Sequence, residues 1–192
     1  MGSVQPPATL LEHDVVIMRL AKTLDFSEHE FDIFDQSWNP VGAVRATEEG
    51  AKHPIFPPRE LAIRDSTGLL CVMQDRFKGR THDYEIAAPT GAIIGIARGF
   101  AEITNPSMTL DFHDSTRFLI SGALFERYFQ VSLNGIPVAH ATREPADPLQ
   151  ERLVDERYYM VFDPKMPPHH RAALLGALLA LGRMRGKLSN NG

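Results

Sequence analysis

The segment Arg76-Phe77-Lys78-Gly79-Arg80 sets three cations at alternate positions around one aromatic residue. In an extended chain a period of two puts Arg76, Lys78 and Arg80 on one face, a clamp for a phosphate or another acidic group. The plain alternative is a solvated connection between two hairpins, in which Gly79 bends the chain and scatters the charges. Histidines carry the next candidate chemistry, as His82-Asp83, His113-Asp114 and His169-His170. None has the HExxH or CxxC type of spacing that aims ligands at one point before the fold is known. Adjacent His169 and His170 point in different directions from a helix start, so surface or capping roles are expected, with no metal and no other cofactor.

Catalytic signatures are scarce. The chain has no Walker A loop, no G-x-S-x-G elbow and no dinucleotide fingerprint, and Gly91-Ala92-Ile93-Ile94-Gly95 reads as a turn plus a strand glycine. Glu126, Asp111 and Asp114 stand singly in the sequence, so no acid/base dyad is specified. The expectation is a protein that is not an enzyme. Cys71 is the only cysteine, which excludes an intramolecular disulfide; its place in Leu69-Leu70-Cys71-Val72-Met73 makes it a small buried hydrophobe. The net charge of -4 argues against a protein that neutralises phosphate backbones, so nucleic acid is not an expected partner.

The elements that must position these residues are strands. An alternating apolar segment, a turn with Asp or Gly, and another apolar segment recur in Phe31 to Asp35 with Val41 to Val44, Leu61 to Asp65 with Leu69 to Met73, and Tyr84 to Ile86 with Ile93 to Ile96. Leu110 to Asp114, Phe129 to Leu133 through Asn134-Gly135 into Val138 to Ala141, and Tyr159 to Asp163 continue the series. Period-two alternation half-buries a strand, and Gly, Asn and Asp supply the turn conformations that close a hairpin. Hairpins in series make an antiparallel meander, and their irregular spacing fits neither a solenoid nor a propeller. A chain of 192 residues is long enough for one full core. We therefore read a tail over residues 1–9, one domain over 10–187 that opens with Val15 to Met18, and a tail over 188–192. Thr47 to Pro58 and Arg143 to Arg157 are polar surface connections.

One segment breaks the pattern: Pro167-Pro168-His169-His170-Arg171, a run of Ala, Leu and Gly from Ala172 to Gly182, then Arg183-Met184-Arg185-Gly186-Lys187. Ala and Leu favour helix, the prolines sit where a first turn tolerates them, and cations sit at the C-terminal end. Its apolar residues go all the way round, so it is buried on every side, in protein or in lipid. The eleven residues from Ala172 to Gly182 rise roughly 16 Å, whereas a bilayer core of about 30 Å asks for roughly twenty apolar residues. The helix is too short to span, and the strands are expected to wrap round it, with Ala173, Gly176, Ala177, Ala180 and Gly182 letting the sheet approach. No basic region followed by an apolar core opens the chain, so a cytoplasmic location is the default.

These phrases in this order resemble the LURP-one-related and phospholipid-scramblase family, which shares its fold with the C-terminal domain of tubby. The carrying residues are Phe31-Asp32-Ile33-Phe34-Asp35 with Val41-Gly42, Leu61-Ala62-Ile63-Arg64-Asp65-Ser66-Thr67-Gly68, Tyr84-Glu85-Ile86 with Thr90-Gly91-Ala92-Ile93-Ile94-Gly95, Phe129 to Arg143, and the closing apolar helix. The resemblance implies a mainly β fold: a closed antiparallel barrel of about twelve strands around a central C-terminal helix. Tubby-like members bind phosphoinositide headgroups through basic side chains, and scramblase-like members are associated with membranes and calcium. This chain lacks the cysteine-rich palmitoylation segment, the proline-rich region and the acidic calcium loop of scramblases. The function expected is a module that binds an anionic lipid headgroup or similar small ligand through Arg76, Lys78 and Arg80, peripheral to the membrane when so bound. The alternative is a protein-interaction or regulatory scaffold.

Overall fold

Alternating apolar residues become strand after strand in the computed structural model, which describes residues 9–20, 30–47, 60–78, 81–100, 107–122, 127–144 and 157–189. Among the described residues the strands are β1 (Val15–Leu20), β2 (Phe31–Asp35), β3 (Pro40–Ala46), β4 (Glu60–Asp65), β5 (Gly68–Lys78), β6 (Thr81–Ala87), β7 (Ile93–Phe100), β8 (Ser107–Phe112), β9 (Arg117–Ser121), β10 (Tyr128–Leu133), β11 (Ile136–Glu144) and β12 (Arg157–Phe162). Each pairs antiparallel with the next. β12 then pairs back onto β1, with Val15 opposite Val161 and Ile17 opposite Tyr159, and closes the barrel. A helix, α1 (Pro168–Ser189), follows the last strand. The expected fold, a twelve-stranded barrel with a C-terminal helix, is the one observed.

Alternation decides which side chains face inward. In β8 Met108, Leu110 and Phe112 are buried, and in β12 Tyr158, Met160 and Phe162 are, while their neighbours are partly exposed. Short turns join the strands at one rim, and local chemistry sets several of them. Asn134 and Gly135 take left-handed φ values of 52° and 81°, the conformation that a two-residue hairpin turn requires. At four other turns an aspartate ends the preceding segment and its carboxylate accepts backbone N–H groups further on. Asp35 accepts from Ser37 and Asn39, Asp65 from Thr67, Asp114 from Thr116, and Asp163 from Lys165. Residues 1–8 of the expected tail over residues 1–9, most of the links Thr47 to Pro58 and Arg143 to Arg157, the pair Gly79-Arg80, and residues 190–192 of the expected tail over 188–192 lie outside the described residues.

α1 starts at the short-turn rim and runs through the core, every residue from His170 to Leu181 being buried. Small residues set the closeness of approach. A Cβ on Gly176 would come within 3.0 to 3.1 Å of three carbon atoms of Ile86, and one on Gly95 of β7 within 3.7 Å of the Ala173 methyl. Burying a leucine contributes about 1.5–3 kcal/mol, and Leu174, Leu175, Leu178, Leu179 and Leu181 are all in the core. No helix among the described residues is long and apolar enough to cross a membrane.

Two local expectations are corrected. The helix continues to Ser189, so Arg183 is not a cation at its solvated end: it is 4% exposed, in the electrostatic field of Asp75 and Tyr84. The Arg76 to Arg80 segment is not a free connection, because the β5–β6 ladder runs on to Lys78 opposite Thr81. In the first the helix, and in the second the cross-strand ladder, continues beyond the apolar pattern.

Arg171 holds the entry of the helix. It is buried, and its Nε donates to the Met166 carbonyl (3.2 Å), Nη1 to those of Leu11 (3.3 Å) and His13 (3.0 Å), and Nη2 to the Asp14 carboxylate (2.8 Å) and the carbonyls of Asp163 (3.1 Å) and Pro164 (3.2 Å). The guanidinium also lies 5.4 Å from the Phe162 ring centroid. One side chain thus ties the segment before β1, which contains the short 3-10 turn Leu10–Glu12, to the β12–α1 connection. Arg171→Ala is expected to cost about 1–3 kcal/mol in urea unfolding, because it removes the hydrogen bonds that a buried guanidinium makes to both segments. Arg171→Lys should recover only part, since three ammonium donors cannot reproduce the guanidinium fork; a loss below about 1 kcal/mol for the alanine variant would refute the clasp. Leu178→Asp, an unpartnered charge in the middle of the buried helix, is expected to abolish the cooperative melt seen by circular dichroism.

Candidate functional site

With α1 occupying the core, sites for other molecules must lie on the outer face or at the rims. Position parity along β5 settles where Arg76 goes: Cys71 and Met73 are buried, so Arg76 belongs to the outward series and is exposed. It lines a groove of about 340 Å³ over β4, β5 and β6, together with Glu60, Leu69, Val72, Gln74 and Glu85. Its Nε donates to Glu85 Oε2 at 3.0 Å. Lys78 follows two residues on in the same strand, and the side chain of Lys78 and all of Arg80 lie outside the described residues. Arg76 is therefore balanced by a carboxylate from the neighbouring strand rather than presented bare.

The same matching runs round the barrel. Arg45 and Arg19 meet Asp32, Arg98 meets Asp83 and Asp111, and Arg117 meets Asp111. Asp111, which stands alone in the sequence, is thus held by two guanidinium groups, and Glu126 lies outside the described residues. Exposed pairs of this kind contribute about 0–1 kcal/mol each. Their consequence is that Arg19, Arg45, Arg76, Arg98 and Arg117 each face a carboxylate on the outer wall.

The short-turn rim collects the titratable groups. Asp114 in the β8–β9 turn and His169 and His170 in the first turn of α1 come together, each offering a ligand atom within 4.8 Å of the others. The rings of His169 and His170 lie 4.3 Å apart, so the two do not diverge as adjacent residues at a helix start are expected to. Burial holds the His170 imidazole below its usual range, and the hydrogen bonds from Thr116 hold the Asp114 carboxyl below its own. These three residues could hold a metal ion. Asp83 of the remaining histidine pair is elsewhere, bonded to Arg98, and the His82 side chain lies outside the described residues. A second feature of this rim is a cleft of about 560 Å³ lined by His13, Asp35, Asn39, Arg64, Asp65 and Ser66, whose aspartates are engaged in their own turns.

The interior holds further ionisable groups. Cys71 is buried and its Sγ–H points to the Ala172 carbonyl at 3.5 Å. Burial also raises the Tyr84 phenol above its ordinary range, with Asp75 adding to the effect, and lowers Arg183, which Asp75 partly offsets. Sequence reading misses this interior group because Asp75 and Arg183 each look like an ordinary surface charge.

No family model matches the chain, and no curated protein is similar to it. Among solved structures it is similar to a protein from Arabidopsis thaliana at 14% identity, over 88% of this chain and 91% of that one, with a TM-score of 0.51. At that identity the likeness is one of fold alone.

Burial pushes the Cys71 thiol from 9.0 up to about 12, which yields a test of the core. At pH 8 the native thiol should resist a disulfide reagent that modifies it at once in urea, because almost no thiolate exists in the folded state. Above pH 9 the unfolded thiol loses its proton while the folded one keeps it, so the folded state binds more protons and stability falls as pH rises. The slope from this one group approaches about 1.4 kcal/mol per pH unit. Cys71→Ala should make the alkaline decline of the urea midpoint shallower, and an equal decline in both proteins would contradict the assignment.

Proposed function

We propose that the protein is a non-enzymatic binding module that recognises a polypeptide partner in the outer groove over β4, β5 and β6. The observation that carries this reading is the charge balance of that groove. Among its described lining residues Arg76 is the cation, matched by Glu85, with Glu60 also present, beside Leu69 and Val72. A phosphate is best recognised by unmatched guanidinium and ammonium groups. A polypeptide brings both signs of charge, amide donors and acceptors, and apolar side chains, which suits a lining of mixed polarity. The filled core supports placing recognition on the outside.

A second reading, an anionic lipid headgroup bound through Arg76, Lys78 and Arg80, is favoured by the alternation of Arg76 and Lys78 along one extended strand. It also accords with the resemblance to tubby-like and LURP-one-related proteins carried by the hairpin phrases. Co-sedimentation with vesicles separates the two. If the groove takes a polypeptide, vesicles containing phosphoinositides should retain no more protein than neutral ones, at low or high salt. A protein captured from native lysate by the wild type should then be lost with Val72→Arg combined with Arg76→Glu, at an unchanged melting temperature. Binding that follows headgroup charge, weakens with salt and disappears when Arg76, Lys78 and Arg80 become alanine would overturn the polypeptide reading. That triple variant should stay within about 1 kcal/mol of wild-type stability.

A further inference from the structure

We propose that Asp114, His169 and His170 form a site for one divalent transition-metal ion, which fastens the β8–β9 turn to the first turn of α1. Two imidazole nitrogens and a carboxylate oxygen from two segments far apart in sequence lie within 4.8 Å of one another. His170 Nε2 and Asp114 Oδ2 are 3.7 Å apart, close to the roughly 3.4 Å between two ligands that each sit about 2.1 Å from a tetrahedral centre. Closing the remaining gap requires only movement of His169, which is exposed.

The second observation is the state of His170 itself. It is 9% exposed, and its ring is fixed between Phe112, with centroids 4.3 Å apart, and Phe118 at 5.2 Å. Held there, its Nε2 is buried without a hydrogen-bond partner, because the Asp114 oxygen at 3.7 Å is beyond hydrogen-bond length. A buried imidazole nitrogen left unpaired is costly, and coordination satisfies it. Asp114 is prepared in a complementary way: Oδ1 accepts the Thr116 N–H at 2.9 Å, which orients the carboxylate and leaves Oδ2 turned toward His170, as supporting hydrogen bonds do for metal ligands.

Donor chemistry selects the class of ion. Two imidazoles and one carboxylate suit Zn²⁺, Co²⁺ or Ni²⁺, whereas Ca²⁺ and Mg²⁺ demand shells of oxygen. The helix N-terminus is a mildly unfavourable neighbour for a cation, and the Asp114 charge offsets it. Water completes the coordination.

The whole chain, stripped with EDTA, is titrated with Zn²⁺ by calorimetry and with Co²⁺ by visible absorption. One equivalent of each ion should bind, Co²⁺ should develop d–d bands at the same stoichiometry, and Zn²⁺ should raise the melting temperature reversibly. Asp114→Asn keeps the acceptor for Thr116, and His169→Gln changes an exposed side chain, so both should fold with a wild-type metal-free melting temperature. Each should weaken Zn²⁺ binding at least about tenfold. Failure of the wild type to bind either ion at micromolar concentration, or wild-type affinity when Asp114→Asn and His169→Gln are combined, would overturn the site.

Discussion

A closed sheet of twelve strands encloses more room than its own inward side chains can fill, since about eight strands is the size that side chains alone can pack. α1 supplies the missing volume, and most features of the chain answer to that need. It has to be apolar on every side, which is why it shows no polar stripe. Where small residues let it approach, Gly176 lies under Ile86 and Ala173 under Gly95. The polar residues it carries must find partners in the core, as Arg183 does near Asp75 and Tyr84.

Filling a barrel with a helix also requires that the helix be held in register, and the short-turn rim does this. Arg171 gathers carbonyls from both chain segments that border the entry of α1. One residue earlier, His170 is wedged between Phe112 and Phe118. Around them Asp35, Asp65, Asp114 and Asp163 each use one carboxylate oxygen to accept a backbone N–H of their own turn, which fixes the turns that border the helix entry. On the outer wall Arg45, Arg76 and Arg98 are matched by carboxylates on neighbouring strands.

Local signals in the sequence determined the elements. Asn134-Gly135 specifies its hairpin because those two residues tolerate left-handed backbone, and period-two alternation in Met108 to Phe112 or Tyr158 to Phe162 tells which side chains go inward. The Ala/Leu run likewise announces a helix buried all round. Each of these acts within a few residues, through turn conformation or side-chain periodicity, and can be read without knowing what lies across the sheet.

Which distant side chains meet was decided only by the tertiary structure. Glu85 reaches Arg76 because β5 and β6 pair to the end of β5, a ladder longer than the apolar pattern advertises. Arg183 becomes a core residue because the helix continues past it. Asp114 meets His169 and His170 because the β8–β9 turn and the start of α1 share a rim. Their sequence separation leaves no periodic trace: barrel closure and the seating of the helix arise from packing summed over the whole core, and no short segment carries that sum.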